Sequence, residues 1–301
     1  MKHFLSKVLL ALTLIFTAAG AHAQIVITAD NYRVFDGAGK ASSLDDIIKK
    51  SADYDVVFLG ENHDDAVGHA LQYQLFNKLV TRYANTRKLA LSMEMFERDR
   101  QVVLDEYLAG LITEKQLKSD ARPWDNYEQD YKPLVELAKS KHLPVIAANA
   151  PRRYTNMVTR KGRDSLNALS DEAKKWLAPL PYPQASDAYG KKFNGLMGGM
   201  HAGSGNMLDA QSLWDATMAF SISEFLKQNP KPLVIHLNGK FHTDQHLGTV
   251  DQLNHYSPSA KSLVVSIFYD KDFPSFDKEK HTGLGDFVII TDPRVERSFA
   301  R

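Results

Sequence analysis

Apolar runs alternate with amphipathic stretches along most of this chain. The run from Tyr54 to Leu59 stops at Gly60 and reads as a buried strand. Between Asp65 and Tyr83, apolar residues at Leu71, Leu75, Phe76, Leu79 and Val80 recur at the spacing of one helix face. A second apolar run, Lys88 to Met95, precedes a helical pattern from Arg98 to Leu108. A short helix over Pro133 to Ser140 leads into a third strand at Leu143 to Ala148. Farther on, a long helix spans Leu208 to Lys227 and a strand follows at Pro232 to Leu237. Late strands read at Ser262 to Phe268 and Asp286 to Thr291.

Continuous apolar strands separated by helices predict an α/β fold. Its central sheet should be largely parallel, with helices on both faces. The stretch from about 151 to 206 breaks this rhythm. It mixes helical pieces, such as Ser170 to Leu177, with the turn Pro179-Leu180-Pro181-Tyr182-Pro183 and a glycine-rich segment, Leu196 to Gly205. We read it as a mostly helical, irregular insertion in one domain covering 24–301. Leu213, Met218, Phe220 and Phe225 on the long helix read as core.

One pattern occurs twice. Val56-Val57-Phe58-Leu59-Gly60-Glu61-Asn62-His63 resembles Val234-Ile235-His236-Leu237-Asn238-Gly239-Lys240-Phe241-His242. Each is a strand that stops at glycine and presents histidine three residues later.

The first residues change the picture of where the protein works. Lys2, His3 and Lys7 precede the apolar run Val8 to Ala18, and Ala21-His22-Ala23 forms a small-x-small cleavage site before Gln24. This is the pattern of a signal peptide over 1–23, too short to span a bilayer. The expected product is exported, periplasmic or secreted, without a transmembrane segment. The chain has no cysteine, which excludes disulfides, thiolate metal sites, a cysteine nucleophile and a lipoprotein anchor. A formal net charge of +1 with dispersed basic residues gives no electrostatic surface for nucleic acid.

Ligands of parallel α/β sheets gather beyond the carboxyl ends of the strands. Polar residues stand at these ends: Glu61 and His63, then Glu94 with Glu97 three residues on, then His242 followed by Asp244 and His246. Asn149 ends a fourth strand. Imidazoles and carboxylates suit a divalent metal or general acid–base catalysis, so Glu61, His63, Glu94 and His242 are candidate metal ligands or catalytic groups. Asp64 and Asp65 read as the start of the following helix, and His69 as a helix-face residue. Met197, Met200 and Met207 offer soft apolar surface in the glycine-rich segment, where His201 is a potential iron ligand. After the third strand, Arg152 and Arg153 could pair with carboxylates such as haem propionates, and Tyr154 could ligate ferric iron. No Gly-x-Ser-x-Gly elbow supports a serine hydrolase.

Several segments, taken in order, resemble one family. They are Gly60-Glu61-Asn62-His63-Asp64-Asp65, Met93-Glu94-Met95, Asn149-Ala150-Pro151-Arg152, Ala210-Gln211-x-x-Trp214-Asp215-x-x-Met218-Ala219, and Gly239-x-x-His242 with Leu247-Gly248. Together they are similar to the ChaN-like haem-binding uptake family of the Tiki superfamily, over roughly Asp53 to Asp270. The resemblance implies an α/β fold, haem as the ligand, and a non-enzymatic part in haem or iron acquisition alongside an outer-membrane haem uptake system. It also implies a homodimer holding stacked haems, with tyrosine on iron and histidine nearby. Related Tiki members are metal-dependent proteases, so it equally implies an alternative: a metal-dependent peptidase or esterase using Glu61, His63, Glu94 and His242. The chain departs from many family members in lacking the lipoprotein cysteine, and its glycine-methionine segment exceeds the family pattern.

Overall fold

The structure is a computed structural model that describes residues 27–196 and 205–299. The expected signal peptide, Met197, Met200 and His201 lie outside the described residues.

Among the described residues, seven strands form one sheet: β1 (Tyr32–Asp36), β2 (Val56–Glu61), β3 (Lys88–Glu97), β4 (Val145–Asn149), β5 (Pro232–Gly239), β6 (Ser262–Tyr269) and β7 (Phe287–Thr291). Their spatial order is β1-β7-β6-β2-β5-β3-β4. β1 runs antiparallel to β7, and the other neighbours are parallel. The helices in chain order are α1 (Leu44–Lys50), α2 (Ala66–Tyr83), α3 (Gln101–Leu108), α4 (Glu114–Ala121), α5 (Lys132–Ser140) and α6 (Arg152–Lys161). They continue with α7 (Asp171–Lys174), α8 (Asp187–Leu196), α9 (Gly205–Gln228), α10 (Thr249–Tyr256) and α11 (Lys278–His281). The largely parallel α/β architecture anticipated from the patterning is present.

Every residue of β2 is buried, so the strand needs cover on both faces. Successive side chains supply both. Val57 and Leu59 pack with Leu71, Leu75, Phe76 and Leu79 of α2 on one face. Val56 and Phe58 pack with Ala219 and Ile222 of α9 and with Val250 and Leu253 of α10 on the other. Each such large side chain, taken wholly out of water, contributes about 1.5–3 kcal/mol. The middle of the sheet is therefore the firmest part of the molecule, and the polar strand ends rest on it.

Three details depart from the sequence reading. β1 was not anticipated, because only Val34 of its five residues is buried. The helix expected over Ser170 to Leu177 is cut to α7, which Ser170 caps by accepting from the Ala173 N–H at 3.3 Å. Among the described residues of 151–206 the chain also forms two ten-residue helices, α6 and α8. Among the described residues no helix is long and apolar enough to cross a membrane.

Candidate functional site

The order β2-β5-β3 puts three parallel strand ends side by side. They bring Glu61, His63, Glu94 and His242 to a single edge of the sheet. The internal echo has a direct meaning: β2 and β5 are neighbours, paired from Val56 with Val234 to Glu61 with Gly239. Glu94 sits where β3 loses its regular pairing. Met93 pairs with Ala147 but Glu97 with Asn149, so an irregularity intervenes and turns the strand locally.

The two glycines serve each other's turn. A Cβ on Gly60 would stand 2.9 Å from Lys240 Cα, so its absence lets the Lys240–His242 turn cross the end of β2. A Cβ on Gly239 would stand 2.8 Å from both Cε1 and Nε2 of His63. Neither position requires a left-handed backbone; close approach is the reason for glycine.

The four residues pair off as two buried constellations. In the first, Glu61 Oε1 accepts from His63 Nδ1 at 2.9 Å and from the Tyr131 hydroxyl at 2.5 Å, while Oε2 accepts from Gln72 Nε2 at 2.6 Å. His69 Nδ1 lies 3.5 Å from Glu61 Oε2, and its Nε2 lies 3.4 Å from Asp130 Oδ2. Burial alone would raise the Glu61 pKa, but His69 and the hydrogen bonds from His63 and Tyr131 outweigh it and hold the carboxyl low. Burial would likewise discharge His69, yet the Glu61 and Asp130 carboxylates raise its pKa. The His63 carbonyl accepts from His69 Nε2 at 3.0 Å and from Asn126 Nδ2 at 3.2 Å, and its ring meets Trp124 edge-on at 4.9 Å. His63 is thus held at ring and backbone, with its side chain 21 % exposed.

In the second constellation, His242 Nδ1 donates to Asp215 Oδ1 at 2.7 Å, and its Nε2 lies 3.6 Å from Glu94 Oε1. Glu94 Oε2 accepts from the Gly239 N–H at 2.7 Å, and Asp215 Oδ1 also accepts from the Thr249 hydroxyl at 2.7 Å. Burial would lower the His242 pKa, but Glu94 and Asp215 raise it to about 9. Both ring nitrogens face carboxylates, and Gln211 Nε2 lies 3.3 Å from each of them. Lys192 of α8 holds the same turn from outside, donating to the carbonyls of Phe241 at 2.8 Å and Asp244 at 2.9 Å. Burial brings its pKa down to about 8.

This changes the reading of the four residues as one metal centre. Among the described residues, no group of three or more His, Asp or Glu side chains stands ready to hold a metal ion. Glu61 accepts from His63, Tyr131 and Gln72, and His242 donates to Asp215, so the four residues stand as two hydrogen-bonded pairs rather than one preformed ion cage.

Two clefts meet at His63. One, of about 670 Å³, lies over the β2 and β5 ends and is bounded by Glu61, His242, Lys192 and Phe241. The other, of about 630 Å³, lies on the β3 side and is bounded by Met95, Glu97, Trp124, Arg100, Arg122 and Arg152. Arg152 therefore sits at the site. Arg153 is tied instead to Asp99 Oδ2 at 2.5 Å and to the Tyr154 hydroxyl at 3.2 Å, its guanidinium 4.4 Å above the Tyr154 ring. Tyr154 lines neither of these two clefts. Asn149 caps its own strand end, accepting from the Ala150 N–H at 2.9 Å. Asp65 takes the N-cap position before α2, and its carboxylate accepts from the Thr291 hydroxyl.

Sequence reasoning missed most of the supporting shell. His69 stands on helix α2 as expected but is buried there against Glu61, and Tyr131, Asp130, Asn126, Gln72 and Lys192 gave no signal. Asp215 and Gln211 stood in a quoted motif without a role. The one usable hint was a charged residue on the otherwise apolar face of α9.

No curated protein matches the sequence. Among solved structures, ChaN of Campylobacter jejuni, described for its cofacial haem binding, superposes with a TM-score of 0.66. It shares 19 % identity and covers 88 % of this chain and 98 % of its own. The type III effector HopBA1 (TM-score 0.45, 12 % identity, 89 % and 99 % covered) and an erythromycin esterase (0.46, 11 %, 87 % and 83 %) lie farther away. A family model described as haem-binding uptake, Tiki superfamily, ChaN matches residues 47–253. With that match spanning both Gly-x-x-His turns and the helices that brace them, this chain belongs to the ChaN haem-binding uptake family of the Tiki superfamily.

Proposed function

We propose that this protein binds haem at the strand-end edge and serves haem or iron acquisition without catalysing a reaction. The observation that carries the reading is the family match over 47–253, which includes the whole Glu61–His63 and Glu94–His242 architecture. The local chemistry supports it: His63 is oriented by a carboxylate, as histidine ligands commonly are, and arginine and tryptophan flank it in one cleft. Tyr154 or His201 is the proposed iron ligand, with Met200 among the haem-binding residues and Arg152 or Arg153 near the propionates. When bound, haem would supply a ferric centre; the chain's own part is to hold and orient it. The amino-terminal pattern and the absence of cysteine support an exported, non-lipidated protein of the periplasm or medium. We take 24–301 as one domain that works as a homodimer and passes haem to or from an outer-membrane uptake system.

Haemin titrated into the purified apo-protein should give a saturable, shifted Soret band. Tyr154→Phe, His201→Ala and His63→Ala, measured separately, should identify the iron ligand by a changed band position. A folded wild-type protein with no spectral change would sink the reading. The metal-dependent hydrolase alternative would use Glu61, His63, Glu94 and His242, with Asp215 orienting the His242 ring through Nδ1. Stoichiometric metal in the purified protein, lost in His63→Ala, would revive it.

A further inference from the structure

The β3-side cleft carries more positive charge than its surroundings use. Arg122 and Arg152 line it from different elements, the first just after α4 and the second opening α6. Both are exposed, and among the described residues neither guanidinium has a hydrogen-bond or ion-pair partner. Arg100, the third arginine, has its Nε 3.6 Å from Asp99 Oδ1, and Asp99 already serves Arg153. Glu97 and Asp125 also border the cleft, so three guanidiniums face two carboxylates there.

The backbone at Arg122 adds a second observation. Its φ of 47° and ψ of 58° place it in the left-handed region, where a non-glycine residue costs about 1–2 kcal/mol. Glycine would close α4 more cheaply at this position. The strained arginine instead presents a guanidinium at the cleft. Pro123 follows, and Trp124 gives the cleft an apolar aromatic wall next to His63.

We propose that this cleft is a subsite for a flat aromatic dicarboxylate. Arg122 and Arg152 each take one carboxylate, and Trp124 covers the ring system. The inference rests on the haem reading, in which the carboxylates are the two propionates, and it moves their anchor from the Arg152–Arg153 pair to Arg152 and Arg122. Arg153 stays with Asp99 and Tyr154. Guanidinium and carboxylate match in charge and in planar, forked geometry, which a lysine would not reproduce.

The test uses the full-length exported protein with three probes: haemin, metal-free protoporphyrin, and protoporphyrin dimethyl ester, whose carboxylates are blocked. Arg122→Ala and Arg152→Ala should each weaken haemin and protoporphyrin binding about tenfold or more, the scale of one charge-assisted hydrogen bond. The ester should bind wild type and the double variant equally weakly. Both side chains are exposed, and circular dichroism checks that the variants fold. Haemin bound by the variants as tightly as by wild type overturns the inference and leaves the haem reading standing. Ester bound as tightly as free acid does the same. Arginine-dependent protoporphyrin binding without haemin binding supports the subsite and removes the haem reading. Binding of neither porphyrin by wild type removes both.

Discussion

At the residue scale, two histidines of one stretch titrate in opposite directions. His236 lies inside the sheet, its Nδ1 2.9 Å from the Ser92 hydroxyl, and burial brings its pKa down to about 3. His242, six residues later, is raised to about 9 by its two carboxylates against the cost of burial. The signs follow from linkage. The stability His242 contributes is fully present below its ordinary value near 6.5 and is lost as pH rises through 9; its size is about 3 kcal/mol. His236 is protonated more readily in the unfolded chain, so stability is lost as pH falls from 6.5 toward 3. Folding stability should therefore peak near neutral pH. Urea denaturation at pH 6, 7.5 and 9.5 measures the upper limb, and Glu94→Gln should flatten it. An unchanged slope in that variant would mean that His242 is not the group responsible.

Among the elements, the reciprocal packing of β2 and β5 governs the site. The two glycines look equivalent in sequence, but their neighbours differ in what they can yield. A methyl at Gly60 meets the backbone of Lys240, whereas a methyl at Gly239 meets the ring of His63. Overpacking of this kind costs about 1–3 kcal/mol. Gly60→Ala should fall at the upper end, because the whole Lys240–His242 turn must move. Gly239→Ala should cost less yet weaken haemin binding, since it displaces His63. Adding His63→Ala should restore the stability of Gly239→Ala and leave Gly60→Ala unrelieved. Equal losses with no such rescue would contradict the packing account. Farther along the sheet, Gln101 imitates a strand beside β4, giving its Nε2 to the Val145 carbonyl at 2.9 Å and taking the Ala147 N–H at 2.7 Å. That occupied edge discourages association by strand pairing.

For the molecule as a whole, association is expected to run through the ligand face instead. Sedimentation velocity of apo-protein and of protein loaded with haemin should show a shift from monomer to dimer on loading. A monomer in both states would leave the homodimer without support. The proposed dimer and the Arg122–Arg152 subsite are separable, because the arginine variants affect affinity and the sedimentation experiment reads stoichiometry.

Much of this architecture is written locally. The burial of β2 and of β5 beyond Pro232, the helix period of α2 and the stop at each glycine are properties of short windows, since both faces of a central strand must be apolar wherever the chain continues. For the same reason the edge with Glu61, His63, Glu94 and His242 was legible from the residues that end each strand. What no window contains is partnership. Glu61 meets Tyr131 seventy positions away, and Glu94 meets the Gly239 N–H across 145. Those distances in sequence decide which carboxylate saturates which imidazole. They set His242 against Asp215 and Glu94 and made His69 a buried partner of Glu61. They also joined Arg122 and Arg152 across one cleft and turned Arg153 away from it. Local chemistry determined what kinds of groups stand at the site; the tertiary structure alone determined which of them still have charge and lone pairs to offer a ligand, because burial and neighbouring charge set both.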